Sequence, residues 1–290
     1  VKTLITGGAG FIGSHLADAL IERGDQVLVI DNLVGTGDST RNIAHLLDHP
    51  RFSFVKGDVA AIDELPDCHV VFHLAASKAT VCMADPERDL RTNALGTLRV
   101  AQAAIEAGAT LVHASTGSVM DGHPASFYGT SKGAGENYVR LIGEQTNLPW
   151  TALRYFHVIG PRQSDADTGG VVPIFLRRAR AGLPLVVEGT GTQVRSFTSV
   201  HDVVRATIAV AERPQRRVLD CASGIRVSIA ELAAFVRTEF GPVPVVAGPR
   251  RSGDVDEFHP DNRALRELGI DFDQDWQGMV RAMVPMAVAA

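Results

Sequence analysis

Short apolar runs alternate with longer stretches of helical periodicity through the first half of the chain. Lys2–Thr6 is such a run and predicts a strand. In Phe11–Arg23 apolar side chains recur at helical spacing up to Gly24, a residue suited to ending a helix. The pattern then repeats. Strands are predicted at residues 26–30, closed by Asp31, and at Phe52–Lys56, 70–74, 111–115 and Trp150–Tyr155. Helices are predicted over 86–107, stopping at Gly108, and over 128–145. Strand–helix alternation with short connections builds a parallel sheet with helices on both faces, so the predicted class is α/β and doubly wound.

After Gly160-Pro161 glycine and proline become denser and the alternation loosens. Residues 171–181 and 228–240 read as helices, Leu185–Glu188 and 217–221 as strands. The expected division is a sheet domain over 1–160 and a smaller C-terminal lobe over 161–290. Its boundary is soft, because the chain is expected to return once to the main sheet.

Composition narrows the classes. A chain of 290 residues that is 45% hydrophobic can bury the core of one large domain or two linked ones. Its net charge of -5 excludes a globally basic nucleic-acid binder. The three cysteines, Cys68, Cys82 and Cys221, show no CxxC spacing, which points to a reducing compartment and no metal site. No apolar run is long enough to span a bilayer. The first residues enter a glycine motif as a strand would, not as a signal peptide would. The expected location is the cytoplasm, with no nucleic-acid or membrane partner.

The glycine motif is Thr6-Gly7-Gly8-Ala9-Gly10-Phe11-Ile12-Gly13, between the first strand and the first helix. Glycines at 7, 10 and 13 let backbone N–H groups approach a pyrophosphate, and the helix N-terminus adds its positive end. Glycine turns are common, but this one is followed about 20 residues later by an acidic residue, Asp31, as the dinucleotide rule asks. The Asp31 carboxylate can accept from the adenosine ribose hydroxyls and would repel a 2′-phosphate. The expected cofactor is therefore NAD, and the fold Rossmann-type. Asp58-Val59, after the third strand, could hold an adenine ring, and Asp58 can equally cap a helix. Leu74-Ala75-Ala76 puts small residues where a cofactor can lie against backbone.

Tyr128 and Lys132 stand at i and i+4, on one helical face. A phenol is a poor base at its ordinary pKa of about 10, but an adjacent ammonium favours phenolate. Tyr128 can then take the proton of a substrate hydroxyl. Thr116, just past the fifth strand, is the candidate to hydrogen-bond that hydroxyl. On its own such a pair is most often an ordinary surface contact; the glycine motif and Asp31 make it a redox site.

Together these residues resemble the extended short-chain dehydrogenases/reductases, in their NAD-dependent nucleotide-sugar epimerase/dehydratase branch. The resemblance runs over essentially the whole chain: TGGAGFIGSHL at 6–16, DNL at 31–33, GDV at 57–59, HLAA at 73–76, NxxGT at 93–97, YGTSK at 128–132 and LRYF at 153–156. It implies a nucleoside-diphosphate hexose or hexosamine, UDP-linked, as substrate, and a homodimer. Besides the residues above, it implies cofactor contacts from Phe11, Ile12, Asn32, Lys78, Asn93, Tyr128, Lys132 and Tyr155. Substrate contacts are implied for Lys78, Met120, His157, Val172, Arg195 and Arg251. The two arginines would hold diphosphate oxygens through their guanidinium forks, although each is otherwise a surface charge.

Three departures from the family pattern bear on the reaction. Gly117 and Ser118 stand where 4,6-dehydratases carry an Asp-Glu acid/base pair, and Met120 replaces a tyrosine. His157 replaces the usual asparagine, and Cys82 lies in a loop that faces the sugar in relatives. The resemblance implies oxidation at sugar C4 to a transient ketone. The departures suggest chemistry beyond simple inversion, and the pattern resembles the dehydratases that act on a UDP-N-acetylhexosamine by 5,6-elimination in tunicamycin-type antibiotic biosynthesis; that reaction is the favoured expectation, with Cys82, Lys78, His157 and Asp121 as candidates for proton transfer at C5 and C6. A UDP-hexose or UDP-GlcNAc 4-epimerase is the alternative. A non-catalytic NAD-binding or redox-sensing protein on the same fold is a third, disfavoured by the complete Thr116–Tyr128–Lys132 set.

Overall fold

The computed structural model describes residues 1–35, 39–77, 83–120, 126–166, 169–250 and 254–284. Lys78, Cys82, Asp121 and Arg251, all proposed above for the site, lie outside them.

The first strand, β1 (Lys2–Thr6), feeds α1 (Phe11–Arg23), which ends on Gly24 at φ 98°, a left-handed conformation that favours glycine. Then follow β2 (Gln26–Asp31), β3 (Phe52–Lys56) and β4 (Val70–His73). Residues 86–106 run helically as Pro86–Leu90, a π segment Arg91–Gly96, and α2 (Thr97–Glu106). Next come β5 (Thr110–Thr116), α3 (Phe127–Gln145) and β6 (Trp150–Tyr155). Seven parallel strands form one sheet in the order Val218–Cys221, β6, β5, β4, β1, β2, β3. The order reverses between β1 and β4, so a crevice opens at their carboxyl ends, where open α/β sheets bind ligands.

The strands alternate strictly across the sheet, as a two-residue period requires. Ile5, Val29, Phe72, Val112 and Leu153 pack with α1 and with the helix Val200–Glu212. Leu4, Ile30, Val71, Leu111 and Ala152 pack with α2 and α3 on the other face. A separate core, built from Phe175, Leu185, Phe197 and Leu232 among others, fills the C-terminal lobe. Val200–Glu212 and Val218–Cys221 follow the first part of that lobe in sequence and rejoin the main sheet. Among the described residues no helix is long and apolar enough to cross a membrane.

Two features depart from the periodicity. The π segment interrupts the predicted helix 86–107 where its neighbours pack closely. A Cβ on Gly96 would come within 2.7 Å of Val59, and one on Gly135 within 2.4 Å of the Asn93 carbonyl. The Thr97 hydroxyl also donates back to that carbonyl at 2.7 Å. π turns concentrate at functional sites, and this one underlies the crevice. The helix Val200–Glu212 is not among the elements predicted from sequence, although Ser199 caps it and its buried residues keep helical spacing.

Candidate active site

The crevice is a cavity of about 370 Å³. Gly7, Gly10, Phe11, Ile12 and Gly13 form its floor, and Asp31, Asn32 and Val59 close one end. Leu74, Ala75 and Ala76 line its side; Thr116, Tyr128, Lys132 and Tyr155 line the other end. The glycines are required individually. Gly7 has φ 73°, and a Cβ there would meet the Ala75 nitrogen at 2.6 Å. A Cβ on Gly13 would meet the Gly7 oxygen at 2.4 Å. At Gly10 a Cβ would meet the Gly7 oxygen at 3.2 Å, closer than an ordinary contact. No side chain caps α1 at Gly10. This is a cradle of the kind a dinucleotide pyrophosphate fits: bare backbone, an uncapped helix start and room above it.

Asp31 is bound into the cradle. Its carboxylate accepts from Ala9 N at 3.1 Å and from Leu33 N at 2.8 Å. Burial pushes its pKa up, against the lowering effect of those two N–H groups. A carboxylate has acceptor positions to spare, so these bonds aim it without exhausting it. Asp58 does not line the cavity; its side chain caps the turn Val59–Ala61 by accepting from Ala60 N at 2.9 Å. Asn93 is also displaced from its expected role. It is fully buried behind the wall, where its oxygen accepts from Ser77 N at 2.8 Å and its amide donates to Asp89 at 2.7 Å and Ser131 at 3.1 Å. It acts through the loop after β4.

A buried polar chain stiffens the same loop. Because the Thr97 hydroxyl donates to the Asn93 carbonyl, His73 Nε2 must donate to Thr97 (2.9 Å), and His73 Nδ1 accepts from the Thr6 hydroxyl (2.7 Å). Burial, then Lys132, lowers the His73 pKa to about 3, so the ring is neutral and this tautomer is fixed.

Tyr128 lies in the first turn of α3, where Ser126 caps the helix by accepting from Gly129 N at 3.0 Å. Lys132, one turn on, is 2% exposed and donates to the Ala114 carbonyl at 2.5 Å. Burial lowers its pKa from 10.5 to about 8, and the carboxylates of Glu136 and Asp89 oppose the drop. Thr116 ends β5 and accepts from Ser118 N at 3.3 Å. The Tyr155 ring borders the cavity, but its hydroxyl pairs with Thr207 at 2.8 Å, and burial raises its pKa. Tyr155 is therefore a wall and no rival to Tyr128 as a base.

The proposed substrate contacts fall elsewhere. Val172 is 1% exposed in the lobe core, so its side chain is packing, a correction to the substrate contact expected of it. Met120 follows the turn Gly117–Val119, half-buried, and does not line the cavity. Arg195 is held by Asp254 at 2.6 Å and by the Val255 carbonyl at 2.8 Å. His157 has φ 41°, packs edge-on against Phe197 and Phe258, and leaves Nδ1 buried without a hydrogen-bond partner among the described residues. Burial, then Arg195, lowers its pKa to about 3. A neutral imidazole can donate or accept a hydrogen bond there, and it is a poor acid.

Two cationic residues of the cavity lining carry no signal strong enough to be predicted from sequence. Arg162, at φ 66°, pairs with Asp18 of α1 at 2.7 Å, and Arg88 donates to the Val34 carbonyl at 3.3 Å. Arg162 follows the Gly160-Pro161 break, the one local signal available. Among the described residues no group of acidic, histidine and cysteine side chains could hold a metal ion.

The family model described as the NAD dependent epimerase/dehydratase family matches residues 3–222. The chain belongs to that family. It is 37% identical to the UDP-N-acetyl-alpha-D-glucosaminuronate decarboxylase of Bacillus cytotoxicus, over 80% of this chain and 78% of that one. The solved UDP-glucose 4-epimerase of Thermotoga maritima, in complex with UDP-glucose, superposes with a TM-score of 0.89 at 31% identity, covering 98% and 97% of the two chains. The UDP-glucuronic acid 4-epimerase of Bacillus cereus, solved with UDP-glucuronic acid and NAD, gives 0.89 at 27% identity over 97% of each chain. The cofactor of this enzyme is NAD.

Proposed function

We propose that the chain converts a UDP-linked hexose or hexosamine through a 4-keto intermediate, and that inversion at C4 is its reaction. The observation that carries this is the convergence of Thr116, Tyr128 and Lys132 on the cavity that holds the glycine cradle and Asp31. Bound NAD supplies a hydride acceptor that returns the hydride, so it is not consumed. Tyr128 takes the proton of the C4 hydroxyl, Thr116 hydrogen-bonds that hydroxyl, and the Lys132 ammonium favours the phenolate. Arg195, held ready by Asp254, anchors the diphosphate in the C-terminal lobe, with Arg251 as its expected companion. The UDP-sugar names of the relatives support the substrate class.

Inversion needs no acid or base beyond this set, and epimerases recur among the relatives. The fold also disfavours a 4,6-dehydratase: a Cβ on Gly117 would lie 2.2 Å from the Phe156 ring, leaving no room for an acidic side chain. The second reading, 5,6-elimination from a UDP-N-acetylhexosamine, draws on His157, whose left-handed backbone and buried Nδ1 put a neutral hydrogen-bonding group where the family pattern has asparagine. A cytoplasmic location belongs to the same reading. So does a homodimer, to which exposed Leu95, Ile105, Tyr138 and Leu141 could contribute apolar surface; light scattering after size exclusion tests it.

The test is incubation with UDP-glucose, UDP-GlcNAc and UDP-glucuronic acid, read by mass and by proton couplings at C4. Unchanged mass with inverted C4 supports the proposal. Loss of one water establishes the dehydratase, and loss of carbon dioxide from the uronate a decarboxylase. Tyr128→Phe should abolish turnover while the protein stays folded and keeps NAD, and Thr116→Val should fall between it and the parent. Near-normal turnover in Tyr128→Phe would withdraw the 4-keto mechanism.

A further inference from the structure

One buried carboxylate ties together the elements that carry the reactive groups. Glu136 is 7% exposed on α3, one turn beyond Lys132 and two beyond Tyr128. It accepts from the Ser115 hydroxyl at 2.6 Å, and from Arg154 Nε at 3.0 Å and Arg154 Nη2 at 2.5 Å. Ser115 immediately precedes Thr116 on β5, and Arg154 immediately precedes Tyr155 on β6. Residues 115 and 154 are also register partners across the two strands. We propose that Glu136 is a positioning residue for the Tyr128–Lys132 pair, one carboxylate setting α3 against β5 and β6 so that Thr116, Tyr128, Lys132 and Tyr155 meet in one cavity.

The inference rests on the proposed role of the Tyr128–Lys132 pair. The bidentate Arg154 fork makes the contact directional, which a single ammonium could not do. Misplacing a reacting group by about 1 Å costs on the order of a hundredfold in rate, so a fixed helix position has kinetic value. Glu136 carries an electrostatic effect as well. Lys132 is faced by Asp89 from Pro86–Leu90, by His73 of β4, by His113 of β5 and by Glu136 of its own helix. Both histidines are held neutral by burial, so Glu136 and Asp89 are the charges that keep Lys132 an ammonium. Around Glu136 itself stand Ser115, Arg154 and, on the neighbouring strand, Asp220.

Glu136→Gln keeps the shape and removes the charge. In the NAD-loaded enzyme turning over its UDP-sugar, kcat should fall by about tenfold to a hundredfold, with KM and NAD content unchanged, because Glu136 does not line the cavity. Losing the carboxylate lowers the Lys132 pKa, so the alkaline limb of the kcat profile should move to lower pH, a change that a merely structural role would not produce. Arg154→Lys keeps both charges but loses the fork; kcat should fall with the alkaline limb in place. Parent-like kcat and limb in Glu136→Gln overturn the inference. If that variant does not fold, Arg154→Lys decides, and a parent-like kcat there overturns it. Tyr128→Phe is run alongside: if it retains activity the redox reading itself fails, whatever Glu136 does.

Discussion

Lys132→Met should make the protein more stable at neutral pH while destroying its activity. Methionine keeps the length and apolar stem of lysine and removes the ammonium. In the folded chain that ammonium is buried, and its pKa falls from 10.5 to about 8. The difference corresponds to ~3 kcal/mol by which the fold disfavours the charged form. Against this stands the lost hydrogen bond to the Ala114 carbonyl, about 1 kcal/mol. No carboxylate is stranded, since Glu136 keeps Arg154 and Ser115, and Asp89 keeps Asn93. The net expectation at pH 7 is a gain of about 2 kcal/mol. Its pH dependence follows from linkage. Below about pH 8 lysine is charged in both states and the burial cost is fully present. Between about 8 and 10.5 the folded chain binds fewer protons than the unfolded one, so the parent gains stability as pH rises and the advantage of the variant shrinks. Above that window the variant should be the less stable by its missing hydrogen bond. Urea unfolding of NAD-stripped protein at pH 7 and pH 10.5 measures this without ligand linkage. A variant less stable than the parent at pH 7, or an advantage that does not change with pH, would refute the claim that Lys132 is held charged at a cost to folding.

Three further outcomes follow from the site. Gly13→Ala should lose bound NAD, because its Cβ would lie 2.4 Å from the Gly7 oxygen and 2.7 Å from the Gly8 Cα, and the loop must shift; NAD content after denaturation reads this directly. The parent should prefer NAD to NADP, and Asp31→Asn should narrow that preference by about tenfold in titrations, since the charge that repels a 2′-phosphate is gone. Arg195→Ala should weaken UDP-sugar binding by about tenfold to a hundredfold with NAD content unaltered, the effect of losing one charge-assisted phosphate contact, measured by calorimetry.

The legible parts of the chain are those whose chemistry is local. The glycine cradle is written in consecutive residues, and each glycine answers to a specific close approach in the fold. Tyr128 and Lys132 share a helical face, and periodicity alone shows that. The strands were readable because each side of the sheet buries a separate core. What escaped depends on distant partners. Asn93 stands in a family motif, yet its position behind the wall is set by Ser77, Asp89 and Ser131. Arg162 reaches the cavity only because its loop docks on α1, through Asp18 and through the His15 contact with the Pro161 carbonyl at 2.9 Å. The helix Val200–Glu212 is rich in valine and begins in a polar stretch, so propensity hides a helix that tertiary burial against α1 sustains.

Gly117 shows how one such distant partner limits chemistry. From the sequence it is an absence: no acid where a 4,6-dehydratase has one. In the fold it is an exclusion. Phe156 ends the run that begins with β6, is 2% exposed, and lays its ring where a Cβ on residue 117 would have to be. Restoring an aspartate at 117 would therefore require moving a buried aromatic ring that also packs against Phe258, beside His157. The contacts of His157 and Phe258 and the turn after β5 are coupled through that ring. On the proposed 4-keto mechanism an acid at 117 would need concerted change at 156 and at Phe258, against which that ring packs, so the packing that follows β6 limits the fate of the ketone as much as the loop that carries Thr116 does.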